Sequence, residues 1–154
     1  MKILTFTEAD QKIKNQIFDF VLDIRLNEMG WKTPPDDLLD IPNVYLTNKG
    51  NFWIVVDNDK LIGTAGVKDM KNNQAYLERM YVDNNFRGTG LAKELLEVLL
   101  DYARRNEFKE IYLQTADTAK RAIAFYIKNG FEQAEVLPAS FHHYNDAVFY
   151  HLQI

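Results

Sequence analysis

The 154-residue chain is predicted to fold as an α+β protein, with a mixed, mainly antiparallel sheet of six to seven strands and helices on both faces. Two features of the sequence support this prediction. Segments rich in β-branched and aromatic residues follow one another across short turns in the first half of the chain. After residue 90, similar segments alternate with stretches whose apolar residues recur at helical spacing. One domain over residues 1–154 is expected, because this length suits a single core.

The first half is predicted to form a strand, a helix and three further strands. Residues 2–7 alternate apolar and polar positions, which predicts the first strand. Thr7 and Asp10 resemble a helix-capping pair, and Ile and Val residues on one face extend that helix for about five turns. Pro34 and Pro35 end it, with a short helical turn at residues 37–39. Residues 52–56, 61–67 and 75–82 follow as antiparallel strands joined by Asn- and Asp-rich turns.

The second half is predicted to alternate helices and strands. Residues 91–105 carry apolar side chains at helical spacing and predict a long amphipathic helix. Residues 111–114 predict a short strand, and residues 119–128 predict a second helix that ends at Asn129-Gly130. Residues 131–136 and 147–153 are the last two strands. The predicted order is βα(α)βββαβαββ.

Composition narrows the classes of function. The chain has no cysteine, which rules out disulfides and a cysteine acyl carrier and fits the reducing cytoplasm, where we expect the protein. Its net charge of −4 argues against nucleic acid as a partner, because phosphate binding needs a dense basic surface. No apolar run reaches the roughly 18 residues of a membrane span, and acidic residues follow the N-terminus too soon for a secretory segment. No His and carboxylate cluster has metal-ligand spacing, so no metal is expected.

Residues 82–92 are the most informative stretch, because they place a glycine-containing turn between a predicted strand and the long helix. Backbone N–H groups at such a helix start can hold phosphate oxygens. Gly88 and Gly90 let the backbone approach a pyrophosphate with no Cβ in the way. A Rossmann loop would need a third glycine, and a Walker loop would need Gly-Lys-Ser/Thr. Two glycines alone would equally fit an ordinary turn.

Three motifs resemble those of one family. Arg87-x-x-Gly90-x-Ala92 resembles the Arg/Gln-x-x-Gly-x-Gly/Ala motif of the GNAT acetyltransferase superfamily. Residues 77–82 resemble its fourth strand, and residues 122–131 resemble its fourth helix and the exit from that helix. The resemblance covers residues 52–135 by motif and the remainder by the order of elements. It implies the GNAT acyl-CoA N-acyltransferase fold and an acyltransferase that moves the acetyl group of acetyl-CoA to a primary amine, by direct attack in a ternary complex.

The same resemblance implies which residues hold the cofactor. The pyrophosphate of coenzyme A is expected on the backbone of the loop, formed by Arg87, Gly88, Thr89, Gly90, Leu91 and Ala92. The pantetheine arm is expected to pair with the backbone of Met80, Tyr81 and Val82 in the manner of an added strand. The Val82 amide would then stabilise the oxyanion that forms on the acetyl carbonyl. Ala119 departs from the family pattern, since many relatives carry an asparagine there that binds pantetheine or substrate.

Catalysis needs a neutral amine, and removing its proton at pH 7 costs about 4.6 kcal/mol for a pKa of about 10.4. Tyr126 matches the family tyrosine that lies near the coenzyme sulfur, so we expect it to donate a proton to the leaving thiolate. Some relatives use a glutamate where this chain has Gln114, which cannot accept a proton. Glu78 is the alternative base, because strand alternation predicts that it shares a face with Met80 and Val82. His142 and His143 in a late loop are further candidates.

The acceptor pocket is expected from residues 25–45 and 138–144, by the family's architecture. These segments contain aromatic residues and carboxylates that suit an alkylammonium group: Trp31, Tyr45, Phe141, Tyr144, Glu28, Asp36 and Asp37. The same residues could instead only pack the loops against the sheet. The acceptor is expected to be a small-molecule, amino-acid or peptide amine. A catalytically weak acyl-CoA-binding module and an interaction subunit are the alternative functions, and a homodimer is expected by analogy.

Overall fold

The computed structural model describes all residues, 1–154. The seven strands are β1 (Lys2–Thr5), β2 (Asn51–Asp57), β3 (Lys60–Asp69), β4 (Gln74–Val82), β5 (Glu110–Ala116), β6 (Glu132–Ala134) and β7 (Ala147–Gln153). The helices are α1 (Gln11–Lys14), α2 (Ile17–Asn27), α3 (Ile41–Val44), α4 (Leu91–Arg105) and α5 (Lys120–Lys128). Short 3₁₀ turns occupy Phe6–Glu8, Asp36–Asp40 and Asn84–Phe86. The predicted α+β class and mixed sheet are confirmed.

The strands form one sheet in the order β1-β2-β3-β4-β5-β7-β6. Every neighbouring pair is antiparallel except β4 and β5, which run parallel. These two strands pair only over Gln74–Tyr76 and Glu110–Tyr112, and then diverge. From residue 77 to residue 82, β4 therefore has a free edge on the side of β5, while β5 continues to pair with β7. This divergence opens a cleft in the middle of the sheet.

Helices cover both faces of the sheet, as predicted. On one face, α4 and α5 pack onto the sheet in a core of 20 buried residues that includes Leu95, Leu99 and Tyr126. On the other face, α1 to α3 pack onto it in a core of 10 buried residues that includes Val21 and Tyr45. Burial of aliphatic and aromatic side chains in these two layers supplies the main driving force for folding.

A β-bulge in β4 changes which side chains face the cleft. Thr64 pairs with Tyr81 and Gly66 pairs with Glu78, so two residues of β4 stand opposite Ala65 alone. One of them, Arg79, has a φ of +55°. The extra residue reverses strand alternation, so that Leu77 and Val82 lie in the same core. The prediction that Glu78 shares a face with Met80 and Val82 is therefore wrong: Glu78 lies on the opposite face, in contact with Tyr45.

The N-terminal elements also differ from their predicted bounds. The first strand ends at Thr5 rather than at residue 7, because Thr5 and Glu8 form a capping box that starts a 3₁₀ turn. Asp10 rather than Thr7 caps the following helix, through a 2.9 Å bond from the Ile13 N–H. The predicted five-turn helix is divided into α1 and α2 at Asn15 and Gln16. At this point the Gln16 N–H bonds to the Ile13 carbonyl, three residues back, as in a 3₁₀ turn. Helix α3 was not predicted, and the strand expected over residues 131–136 is limited to Glu132–Ala134.

Candidate active site

A cavity of about 960 Å³ lies between the end of β4, the start of α4 and α5; we call it the loop cavity. Most of the predicted cofactor residues line it: Met80, Tyr81, Val82, Arg87, Gly88, Gly90, Leu91, Ala92 and Tyr126. Thr89 is the exception, since it does not line the cavity and its hydroxyl donates to the Phe86 carbonyl. The fold thus brings together residues that are separated by more than thirty positions in the sequence.

The backbone of the loop presents free donors. The N–H groups of residues 88–93 make no hydrogen bond to any acceptor in the protein, and no side chain caps α4. Gly88 and Gly90 take left-handed φ values of +76° and +89°. A Cβ at either position would meet no atom within 4 Å, so the conformation rather than crowding within the chain calls for glycine. Unpaired N–H groups at a helix start form a site for an anion.

The side chains around the loop cavity are mainly basic, although the whole chain carries a net charge of −4. Its basic residues are Arg87, Lys93, Lys120, Arg121 and Lys128. Glu28 is the acidic residue that lines this cavity, and it pairs with the Arg87 guanidinium. The side chain of Arg87 also donates to the Asn84 amide oxygen at 3.0 Å. The charge distribution therefore favours an anionic occupant.

A second cavity, of about 610 Å³, occupies the cleft between the diverging ends of β4 and β5; we call it the cleft cavity. Residues 29–34 after α2 and the segment around Tyr144 complete its wall. The two cavities share the lining residues Met29, Met80, Tyr81, Ala122 and Tyr126. The free edge of β4 and the inner face of α5 therefore separate two adjoining compartments.

Tyr126 is the buried polar side chain at this junction. It is 8% exposed, and its hydroxyl makes no hydrogen bond within the protein. Burial, together with the nearby Tyr81 side chain, raises the pKa of Tyr126 well above its usual value. The hydroxyl therefore keeps its proton at neutral pH and remains free to donate it to a bound group.

Glu78 lines the cleft cavity but is held in an ion pair. Its carboxylate accepts from the Lys68 ammonium at 2.9 Å, and its other oxygen lies 3.2 Å from the Tyr45 hydroxyl. Its side chain is 11% exposed. Lys68 is thus the ion-pair partner of this cavity-lining carboxylate.

Asp37 and Arg79 form a second ion pair beside Glu78. The Arg79 guanidinium donates to both carboxylate oxygens, at 2.6 and 3.0 Å, and the Tyr45 hydroxyl donates to Asp37 at 2.6 Å. Burial alone would raise the pKa of Asp37, but the hydrogen bonds from Arg79 and Tyr45 outweigh it and lower that pKa. Asp37 is therefore occupied by Arg79 and does not present a free carboxylate to the cleft cavity.

Comparison with known proteins identifies this architecture. The acetyltransferase (GNAT) family matches residues 18–131, which is most of the chain. The chain belongs to the GNAT acetyltransferase family. Human N-acetyltransferase 8B is 33% identical over 103 residues, which cover 63% of this chain and 45% of that protein. The chain thus spans about half the length of the curated relatives that it matches.

Solved structures of two bacterial acetyltransferases share this fold, one over nearly the whole chain and the other over part of it. A GNAT-family acetyltransferase from Staphylococcus aureus Mu50 has a TM-score of 0.90 and 31% identity, and the alignment covers 99% of this chain and 98% of that one. A Bacillus anthracis protein in complex with acetyl coenzyme A has a TM-score of 0.60 and 25% identity, over 71% of this chain and 66% of that one.

Gln114, one of the departures from the GNAT pattern, has a structural role. Its amide nitrogen donates to the Tyr76 hydroxyl at 2.7 Å and to the His142 carbonyl, and its oxygen accepts from the Tyr144 N–H at 3.0 Å. A glutamate could not donate the first two bonds. The amide therefore fixes the late loop against β5, a role that the sequence did not indicate.

The remaining candidates are divided between the cavities and the cores. Trp31 and Tyr144 line the cleft cavity and are both exposed, whereas Tyr45 and Phe141 are buried in the hydrophobic cores. The pKa of Tyr144 is raised above its usual value, mainly by burial and then by the negative charge of Glu78. The positive charges of Arg79 and Arg25 offset part of this increase.

Three further candidate residues lie outside both cavities. His142 and His143 are exposed and line neither cavity, and Asp36 is also exposed.

The protein has no group of three or more His, Asp and Glu side chains placed to hold a metal ion. None of its helices combines the length and apolar character that a membrane span needs.

Proposed function

We propose that the protein is an acetyl-CoA-dependent N-acetyltransferase that acts on a primary amine. The observation that carries this proposal is the run of free N–H groups over residues 88–93, in a basic cavity that adjoins a second cavity at Tyr126. These donors suit the pyrophosphate of coenzyme A. The similarity to a protein solved in complex with acetyl coenzyme A supports the same cofactor. The acetyl group would lie at the junction and the amine in the cleft cavity.

The free edge of β4 suits the pantetheine arm. Strand β4 has no partner on the β5 side beyond residue 76, so the amide groups of the arm can pair with the backbone of Met80 to Val82. The Asp83 N–H bonds to the Ile62 carbonyl of β3 at 2.8 Å. Because N–H directions alternate along a strand, the Val82 N–H faces the free edge. It is placed to donate to the oxyanion that develops on the acetyl oxygen.

The proposed reaction is direct attack in a ternary complex. The neutral amine attacks the acetyl carbonyl carbon, a C–N bond forms, and the carbonyl oxygen takes the negative charge. Collapse of this intermediate breaks the C–S bond, and the thiolate of coenzyme A takes the proton of the Tyr126 hydroxyl. The amine proton leaves to Glu78, directly or through a water, and returns to Tyr126 through solvent. The products are the N-acetylated amine and coenzyme A.

A catalytically weak acyl-CoA-binding module is the second candidate function. The observation that favours it is the state of the cleft carboxylates, because Glu78 is paired with Lys68 and Asp37 with Arg79. If neither pair opens, the protein holds the cofactor but lacks a free base for the amine.

The two candidates are separated by a turnover screen. The protein is mixed with acetyl-CoA and a panel of primary amines, thiol release is followed, and products are identified by mass spectrometry. The proposal predicts thiol release that depends on the amine and matches the amount of N-acetylated product. Binding of acetyl-CoA without such release for any amine would contradict it and support the binding module.

A further inference from the structure

Arg25 is a buried cation without a counter-ion in the wall of the cleft cavity. It is 9% exposed and is the one charged residue among the buried residues of the chain. It forms no ion pair, although Glu78 and Asp37 are each matched by a basic partner. A buried charge is expensive to desolvate and is normally paired. An uncompensated guanidinium in a cavity therefore points to an anion that arrives with the ligand.

The hydrogen bonds of Arg25 leave one edge of its guanidinium free. Its Nε and Nη2 atoms both donate to the Thr33 carbonyl, at 3.3 and 3.1 Å. The planar group also lies over the Trp31 ring, 5.1 Å from its centroid. These contacts fix the orientation of the guanidinium and use one of its two forked edges. The other edge, made by Nη1 and the second N–H of Nη2, fits the two oxygens of a carboxylate.

The rest of the cavity matches a zwitterion better than a simple amine. Arg25 supplies a buried positive charge from α2, and Glu78 supplies negative charge from β4. One free guanidinium edge suits the two oxygens of a single carboxylate, and the Glu78 carboxylate in the same cavity wall disfavours a phosphate dianion. Trp31 and Tyr144 add aromatic surface to the wall of the same cavity. This arrangement also replaces the expectation that Asp36 and Asp37 bind an alkylammonium group, because Asp36 is exposed and Asp37 is occupied by Arg79.

We propose, on the basis of the proposed function, that the acceptor is an amine that also carries a carboxylate, as amino acids do. The carboxylate binds the free edge of the Arg25 guanidinium. The amine then extends toward Met80 and Tyr126, where the two cavities meet. The side chain of the acceptor lies against Trp31 and Tyr144.

The test compares acceptors that differ only in the carboxylate. Phenylalanine, phenethylamine and phenylalaninamide form one matched set, and leucine with its amine and amide forms another. The expected kcat/KM of the wild-type protein is about 100-fold or more higher for the amino acid, because loss of the carboxylate leaves the buried guanidinium unpaired. In Arg25→Gln this ratio falls to near one, and Arg25→Lys restores part of it. Lys32→Gln, which changes an exposed cation of the same cavity, is the matched control and shifts the ratio by no more than about 3-fold.

The outcomes separate this inference from the proposed function. Unchanged acetyl-CoA affinity of Arg25→Gln shows that the variant is folded with an intact loop cavity. If the wild type acetylates the decarboxylated amines as well as the amino acids, the inference is wrong and the proposed function stands. If no amine turns over, the binding of the amino acids is measured by calorimetry in the presence of coenzyme A, for the wild type and for Arg25→Gln. Binding that Arg25→Gln abolishes supports the inference, and no binding of any amino acid overturns it.

Discussion

Tyr126 and Tyr45 are two buried tyrosines whose hydroxyl groups differ in their partners. The Tyr126 hydroxyl is free within the protein, whereas the Tyr45 hydroxyl donates within the network of Asp37 and Glu78. Removal of the first hydroxyl should therefore affect catalysis, and removal of the second should affect stability. The family motif was enough to select Tyr126. Nothing local in the sequence indicates that Tyr45 is tied to residues 37 and 78.

Tyr126→Phe is expected to lower kcat about 100-fold, because the leaving thiolate loses its proton donor. Its free energy of unfolding should stay close to that of the wild type, since no hydrogen bond is lost. Tyr45→Phe is the matched control and should cost about 1–2 kcal/mol of stability through the bond to Asp37. Initial rates and chemical denaturation measure both effects. Full activity in Tyr126→Phe would remove this tyrosine from the mechanism.

Asp37 is expected to give the protein an acid-sensitive part of its stability. Its pKa is lower in the folded protein than the usual 3.8, because the Arg79 and Tyr45 hydrogen bonds outweigh burial. The corresponding stabilisation is present above about pH 3.8 and is lost as the pH falls through the lowered folded pKa. Asp37→Asn should cost about 2 kcal/mol at pH 7 and flatten the acid limb of the stability curve. Exposed Asp36→Asn is the control, and equal pH profiles for the two variants would contradict this account.

At the scale of elements, the sequence predicts well what is periodic and poorly what depends on distant contacts. The long helix α4 was predicted at Leu91–Arg105 because its apolar residues recur at helical spacing throughout. The bulge in β4 was missed because Arg79 looks like any strand residue. Its left-handed φ occurs at the bulge, where two residues of β4 stand opposite one residue of β3. Its side chain forms an ion pair with Asp37, which belongs to a distant element. That miss placed Glu78 on the wrong face of the sheet.

The junction between α1 and α2 was missed for a similar reason. The side-chain oxygen of Gln16 accepts from the Leu61 N–H at 3.0 Å, and its nitrogen donates to the Asp59 carbonyl at 3.1 Å. These bonds join the helix pair to the β2–β3 hairpin, which lies more than forty residues away.

Gln16→Ala is expected to lower the free energy of unfolding by about 1–3 kcal/mol, because it leaves the buried Leu61 backbone N–H without its acceptor. Gln11→Ala is the matched control on α1, since Gln11 bonds only to exposed Asn15. Its effect should stay within about 0.5 kcal/mol. Denaturant unfolding of both variants measures the difference, and equal losses would argue against a stabilising junction at Gln16.

For the whole molecule, the order of elements and the loop motif predicted the fold and the loop cavity. The cleft cavity could not be predicted in the same way, because residues from α2, β4, β5 and the late loop meet there only after folding. Arg25 shows this most clearly. It looks like an exposed helix residue in the sequence, and its burial depends on Thr33 and Trp31 folding back over it.

A homodimer remains a prediction by analogy with the family. The sheet ends in two edge strands, β1 and the short β6, through which copies could meet. Light scattering in solution should give about twice the 18.0 kDa mass of the chain. A mass of one chain at all concentrations tested would show that the protein is a monomer.

The most direct test of the account is titration of acetyl-CoA into the wild-type protein and into Gly90→Glu by calorimetry. The Gly90→Glu substitution adds a negative charge beside the free N–H groups of residues 88–93. It also strains the backbone, because a residue with a Cβ must adopt the left-handed φ of +89°. Gly130→Glu is the matched control, because it adds the same charge at another left-handed glycine that lines neither cavity. We expect micromolar binding to the wild type and to Gly130→Glu, and none to Gly90→Glu. A folded wild type that does not bind acetyl-CoA, or equal binding by Gly90→Glu, would contradict it.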